Sequence, residues 1–265
     1  MSYSLNLHGR LVDLDHPCVM GILTVTPDSF FAESRTQTEQ QLRQRVAQIV
    51  AEGGTMIDIG ACSTRPGSQP VSEEEEMARL RWALPIIRTA IPESPDTCLP
   101  LSLDTFRPSV ARMAVEEFGI DIINDVSEGN HEMFRMVARL GVPYVLMSVQ
   151  PDLRQTLLVF AQKIQQLRDY GQKDIILDPG FGFGKTLNQN FELLNDLDKL
   201  RVFDLPLLVG VSRKSMIYKT LGCTPEEALN GTTVLNTIAL MKGATILRVH
   251  DVRQAVECCR LSPLR

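Results

Sequence analysis

No two of the six cysteines, Cys18, Cys62, Cys98, Cys223, Cys258 and Cys259, form a Cys-x-x-Cys pair. That absence removes the common zinc and thioredoxin-like signatures and fits free thiols in a reducing cytoplasm. The N-terminus has no basic start followed by an apolar run, so no secretion signal is expected. No apolar stretch reaches the roughly 18–20 residues needed to span a bilayer. A basic excess is missing as well: 27 Lys and Arg face 32 Asp and Glu, a formal net charge of −5. Neither a nucleic acid nor a membrane surface is expected as a general partner of such a chain. There is no linker rich in Pro, Gly or Ser, and residues 1–265 are expected to form a single domain.

What is present is apolar material for a large core, 44% hydrophobic against 22% charged residues. Short apolar or β-branched runs recur at 19–25, 55–61, 99–104, 120–124, 143–147, 174–178, 206–212 and 246–250. Amphipathic stretches of helical period lie between them. Leu42, Val46, Ile49 and Val50 share one face; Met77, Leu80, Leu84 and Ile87 share a second; Leu157, Phe160, Ala161, Ile164 and Leu167 share a third. Ser72 before Glu73–Glu76 reads as an N-cap followed by an acidic, solvated first turn. Eight strand-then-helix units in 265 residues predict an α/β fold, a closed (β/α)8 TIM barrel. An open doubly wound sheet would want a glycine-rich turn after the first strand, where Thr26-Pro27-Asp28-Ser29 stands.

In such a barrel the chemistry lies at the C-terminal ends of the strands. Six of the runs end in polar residues: Cys62-Ser63-Thr64-Arg65-Pro66-Gly67, Asp104-Thr105, Asn124-Asp125, Asp178-Pro179-Gly180, Ser212-Arg213-Lys214-Ser215, and Arg248 with His250. Any one could be a turn or cap; agreement at six strand ends points to an active site. Asp104, Asp178 and Asn124 offer acceptors for a heterocycle edge carrying adjacent N–H donors. Arg65, Lys214, Arg248 and His250 suit a phosphate or diphosphate.

Other motifs carry less. Gly180 to Thr186 superficially resembles a phosphate-binding P-loop, but Pro179 occupies the position of its first glycine. His8, His16 and His131 have no partner at ligand spacing, Trp82 sits beside an apolar stripe, and Cys258-Cys259 is expected to pack at least one thiol against the barrel.

In order along the chain, Met20 to Phe30, Asp58-Ile59-Gly60, Ser63-Thr64-Arg65-Pro66-Gly67, Ser102-Leu103-Asp104-Thr105 and Ile123-Asn124-Asp125-Val126-Ser127 resemble the motifs of the dihydropteroate synthase family. Leu177 to Thr186, Val211-Ser212-Arg213-Lys214-Ser215 and Leu247-Arg248-Val249-His250-Asp251 continue the likeness. The resemblance implies condensation of 6-hydroxymethyl-7,8-dihydropterin diphosphate with p-aminobenzoate, giving dihydropteroate and diphosphate. It implies that Asp104, Asn124 and Asp178 hold the pterin ring, with Lys214 at its far edge and Met147 packed nearby. Arg65, Arg248 and His250 would bind the diphosphate, and Thr64, Pro66, Phe183 and Ser212 would line the p-aminobenzoate side. Residues 26–36 and 62–72 would be lids. Catalysis would fall to Asp104, Asp178 and Lys214, Mg2+ would be the cofactor with Thr24 as its protein ligand, and the chain would be a cytoplasmic homodimer.

The chain departs from the family pattern at three places. Thr24 stands where asparagine is usual, Ser148-Val149-Gln150-Pro151 makes a short link after the fifth strand, and Cys62 replaces a frequent acidic residue. A non-catalytic pterin-binding homologue and a pterin-dependent methyltransferase are the alternatives. The Ser-Thr-Arg-Pro-Gly and Ser-Arg-Lys-Ser segments favour the synthase, because a diphosphate needs their cations.

Overall fold

The computed structural model describes residues 3–25, 35–62, 71–92 and 99–262. It opens with an antiparallel hairpin of β1 (Ser4–Leu7) and β2 (Arg10–Asp13). Eight parallel strands follow: β3 (Cys18–Thr24), β4 (Met56–Gly60), β5 (Leu101–Asp104), β6 (Ile122–Asp125), β7 (Tyr144–Met147), β8 (Ile175–Asp178), β9 (Leu208–Val209) and β10 (Ile246–Val249). They pair in the order β8-β7-β6-β5-β4-β3-β10-β9. Closure comes from the residues just before β9: Leu177 N–H donates to Pro206 O at 2.9 Å, and Leu177 bridges Leu207 in parallel. The expected barrel is therefore what forms, although β9 is much shorter than the run 206–212 from which it was expected.

Alternate residues of each strand fall into two apolar groups, as the two-residue period requires. Val19, Leu23, Ile57, Ile59, Leu101, Leu103, Ile123, Leu146, Leu177 and Leu247 pack outward into the helix layer. Met20, Met56, Ile122, Val145, Ile176, Leu208 and Ile246 point inward, and there they meet Leu5, Leu7 and Leu14. The hairpin thus plugs the N-terminal end of the barrel and turns it from a tube into a cup.

The hairpin was not anticipated from the sequence, although its signal was there. Leu5 and Leu7 alternate with polar neighbours, and His8-Gly9 takes φ of 52° and 92°, the two positive values of a type I′ turn. Histidine in place of the usual Asn or Asp hid it. His8 has a structural role, with Nε2 3.2 Å from Ile120 O and 3.6 Å from Asp121 Oδ1.

Helices α1 (Arg35–Ala51), α2 (Glu73–Ala90), α3 (Pro108–Phe118), α4 (His131–Leu140), α5 (Leu153–Asp169) and α6 (Leu187–Asn195) each follow a strand. α7 (Ser215–Leu221) and α8 (Leu229–Met241) both follow β9, and α9 (Val252–Leu261) follows β10. Ser72 caps α2 as expected, its Oγ accepting Glu75 N–H at 3.1 Å. The solvated acidic turn is corrected at one position. Glu73, Glu74 and Glu75 are exposed, but Glu76 is wholly buried, ion-paired to Arg107 and accepting Thr105 Oγ1–H at 2.8 Å. The helical period carries Glu76 round to the barrel side, which a local charge run cannot reveal. Ala161 is likewise exposed; Thr156, Phe160, Ile164 and Leu167 are the buried face of α5. Trp82 and Cys258 pack against the core.

Candidate active site

The alternation that floors the cup with apolar side chains sets polar ones above them on the same inward face. Met56 is followed two places on by Asp58, Ser102 by Asp104, Ile122 by Asn124, Ile176 by Asp178, and Ile246 by Arg248. Parallel register aligns them across strands: Asp58 opposite Ser102, Asp104 opposite Asn124, and Met147 opposite Asp178. Residue order along the strands therefore writes a floor that is apolar except at Ser102, and a polar mouth.

Four strands meet in one charged network. Asp58 Oδ2, in a side chain fully withdrawn from solvent, accepts from Arg248 Nε at 2.6 Å and from Asn124 Nδ2 at 3.0 Å. Arg248 Nη2 donates to Asp104 Oδ2 at 2.7 Å. Asp58 escaped selection from the sequence because it lies within β4 and not at its end. The available signal was a carboxylate inside an otherwise apolar parallel strand, a setting where unpaired charge is not tolerated.

Around this network acceptors outnumber donors. Asp58 Oδ1, Asp104 Oδ1, Asn124 Oδ1 and Ser102 Oγ are all buried without a hydrogen-bond partner. An unmatched buried polar group costs about 1–3 kcal/mol, so the cluster is a place where N–H donors would be strongly held. Burial pushes the Asp104 carboxyl up to about 7, against the pull of Arg248, with Asp58, Glu76 and Asp125 adding to the rise. Burial also raises Asp178, opposed mainly by Lys214. Burial by itself would lower Arg248, but the Asp58 and Asp104 carboxylates hold it above the ordinary guanidinium value.

A second group of side chains comes from the loops after β8 and β9. Lys214 Nζ donates to Phe181 O and lies 4.8 Å from the Phe183 ring centroid. Burial pushes its ammonium down to about 8, resisted by Asp178. Gly180 has φ 71°, and a Cβ there would stand 2.0 Å from Ser148 O. That close approach draws the β8 loop against the end of β7, so only glycine fits. Lys185 fastens the same loop, donating to Gly180 O at 3.0 Å and to Ser148 O and Phe183 O at 3.2 Å. Its ammonium is spent on carbonyls, as the rejection of a P-loop requires.

Ser212 Oγ and His250 Nδ1 are 3.0 Å apart, and Arg45 Nη2 donates to His250 O at 2.6 Å from behind the β3–β10 seam. Arg213, between two site candidates, is structural: it grips Asp251 through Nε and Nη2 at 2.9 and 2.8 Å. Asp125 faces away from Asn124 and accepts Tyr144 Oη–H at 2.8 Å behind the barrel wall. Thr24 closes β3 beside Gly60, with its side chain exposed at the mouth. Among the described residues no group of three or more His, Cys, Asp or Glu could hold a metal ion. Thr64, Arg65 and Pro66, and nearly all of the two expected lids, lie outside the described residues.

Comparison with known proteins gives one consistent result. Residues 20–250 match the family model described as pterin binding enzyme. The chain is 38% identical over 269 aligned residues to the dihydropteroate synthase of Escherichia coli strain K12, covering 96% of this chain and 93% of that protein. It superposes with a TM-score of 0.87 and 36% identity on the Xanthomonas albilineans dihydropteroate synthase solved with 4-aminobenzoic acid, covering 98% and 97% of the two chains. A Yersinia pestis structure carrying a pterine-sulfa conjugate gives 0.83 and 34%, over 98% and 96%.

Proposed function

We infer how the site works from one premise: this chain belongs to the pterin-binding enzyme family, within which it carries out the dihydropteroate synthase reaction. The enzyme joins 6-hydroxymethyl-7,8-dihydropterin diphosphate to p-aminobenzoate. The bond from the pterin methylene carbon to the diphosphate oxygen breaks, a bond to the aryl nitrogen forms, and that nitrogen releases a proton.

The residue roles are our proposal. Asp104 Oδ1 and Asn124 Oδ1, buried acceptors with no internal partner, take N–H donors of the pterin edge, with Asp178 beside them. This surplus of acceptors carries the assignment, since an aminopyrimidinone is rich in adjacent donors. Lys214 reaches the same ring, and Met147 packs under it. Arg248 and His250 would bind the diphosphate, and Phe183 and Ser212 would line the p-aminobenzoate side. Arg65 is proposed for the first role and Thr64 and Pro66 for the second on the resemblance alone, since they lie outside the described residues. An aryl amine is neutral near pH 7 and needs no strong base. The cations therefore stabilise the leaving group while Asp104 and Asp178 offset positive charge growing on the pterin, the kind of preorganised electrostatics that usually dominates catalysis.

A resident magnesium site does not fit the residues described. Thr24 offers one neutral hydroxyl, and among the described residues no cluster of carboxylates accompanies it. We propose that any Mg2+ arrives on the diphosphate and keeps most of its waters, as that ion prefers. We propose further that the protein is a cytoplasmic homodimer. Leu221, Val234 and Met241, large apolar side chains left exposed on α7 and α8, support self-association.

Asp178→Asn tests the pterin assignment. It should cut dihydropteroate formation by roughly 100-fold or more while moving the melting temperature only a few degrees. Turnover at the wild-type rate would refute it.

A further inference from the structure

We propose that Asp58 is a positioning residue for pterin recognition, acting through the side-chain amide of Asn124 and the guanidinium of Arg248. The proposal rests on the pterin reading above and deepens it.

Asn124 has a donor end and an acceptor end that differ little in size, so its orientation is decided by its neighbours. A carboxylate can only accept. With Asp58 Oδ2 at 3.0 Å, the amide must turn Nδ2 toward β4, which leaves Oδ1 as the unmatched acceptor. Were the amide reversed, two oxygens would face each other next to Asp58, and a donor would replace the acceptor offered to the pterin edge.

The same oxygen fixes Arg248. Asp58 Oδ2 takes Nε at 2.6 Å while Asp104 Oδ2 takes Nη2 at 2.7 Å. Two carboxylates on two strands hold one edge of the planar fork, so the guanidinium cannot rotate. This also spends Asp104 Oδ2 on Arg248 and leaves Asp104 Oδ1 for a ligand. Asp58 thus sets which atoms of two neighbours remain available. The side chain is wholly buried, and no solvent can replace it in that role.

The test is a double-mutant cycle on the full chain, read by calorimetric binding of 6-hydroxymethyl-7,8-dihydropterin diphosphate, with melting curves as a fold control. Asp58→Ala should weaken binding by roughly 10–100-fold, the span expected when a buried acceptor is replaced by a misplaced donor. Asp58→Asn can put its own Oδ1 where Oδ2 was and keep both donors, so it should lose less than the alanine variant. In an Asn124→Ala background, Asp58→Ala should cost at least about threefold less than in wild type, because part of its effect runs through Asn124. The KM for p-aminobenzoate should not move.

Additive losses would overturn the proposal, as would an alanine variant that binds like wild type. If Asp58→Ala does not fold, the cycle is read with Asp58→Leu, which removes both acceptor contacts while filling the space, and with the same additivity criterion. Unchanged binding by Asn124→Ala alone would overturn the pterin assignment of that residue, a result distinct from additivity.

Discussion

Lys214→Arg should abolish the alkaline limb of the enzyme's pH profile. Burial brings Lys214 down to about 8 and brings Asp104 up to about 7. The productive form needs Asp104 ionised, to hold Arg248 and accept from the pterin, and Lys214 protonated, to donate. Activity must therefore rise as pH climbs through about 7 and fall as it passes about 8. For limbs one unit apart, about 60% of the enzyme is in the productive form at the optimum, and about 3% remains at pH 9.5. Arginine stays charged throughout this range, so the variant should rise through the same acid limb and then stay level. Its plateau should sit roughly tenfold below the wild-type maximum, because a planar fork does not reproduce the point contacts of an ammonium. The assay is kcat/KM for the pterin diphosphate at saturating p-aminobenzoate, followed by diphosphate release from pH 5.5 to 10. That parameter reports groups of the free enzyme, whose environment is the one described here. A variant that keeps a falling limb near pH 8 would assign that limb to another group, Lys185 being a second lysine that burial brings down to about 8, and would refute the role given to Lys214.

Three further outcomes test the framework around the site. Leu5→Ala removes a buried side chain from the plug and should lower stability by about 2–5 kcal/mol in chemical denaturation, with the pterin KM little changed. Glu76→Ala strands Arg107 in a largely buried setting and should cost about 3–5 kcal/mol; a loss below about 1 kcal/mol would mean that the pair behaves as a surface contact. Gly180→Ala forces a Cβ onto Ser148 O at a positive φ and should both destabilise the fold and raise the pterin KM, since the loop carries Phe183 and follows Asp178. Wild-type melting and kinetics in that variant would show that the loop shifts freely.

Much of the molecule was decided by sequence alone. Eight apolar runs separated by helical periods specify a parallel barrel, because strands buried on both faces must be nearly continuous in apolar residues. Polar residues at the ends of those runs, Asp104, Asn124, Asp178, Lys214, Arg248 and His250, mark the mouth, because a two-residue period carries a strand from floor to rim in one or two steps. The aligned motifs named the family. What the chain could not disclose locally is which side chains meet across strands. Asp58, Asn124, Asp104 and Arg248 come from four strands and up to 190 positions apart, and only closure of the barrel puts them within 3.0 Å of a partner. The plug of β1 and β2, the burial of Glu76 and the commitment of Lys185 to carbonyls arise the same way. Each depends on packing against residues distant in sequence, and periodicity reports a residue's face but not its partner.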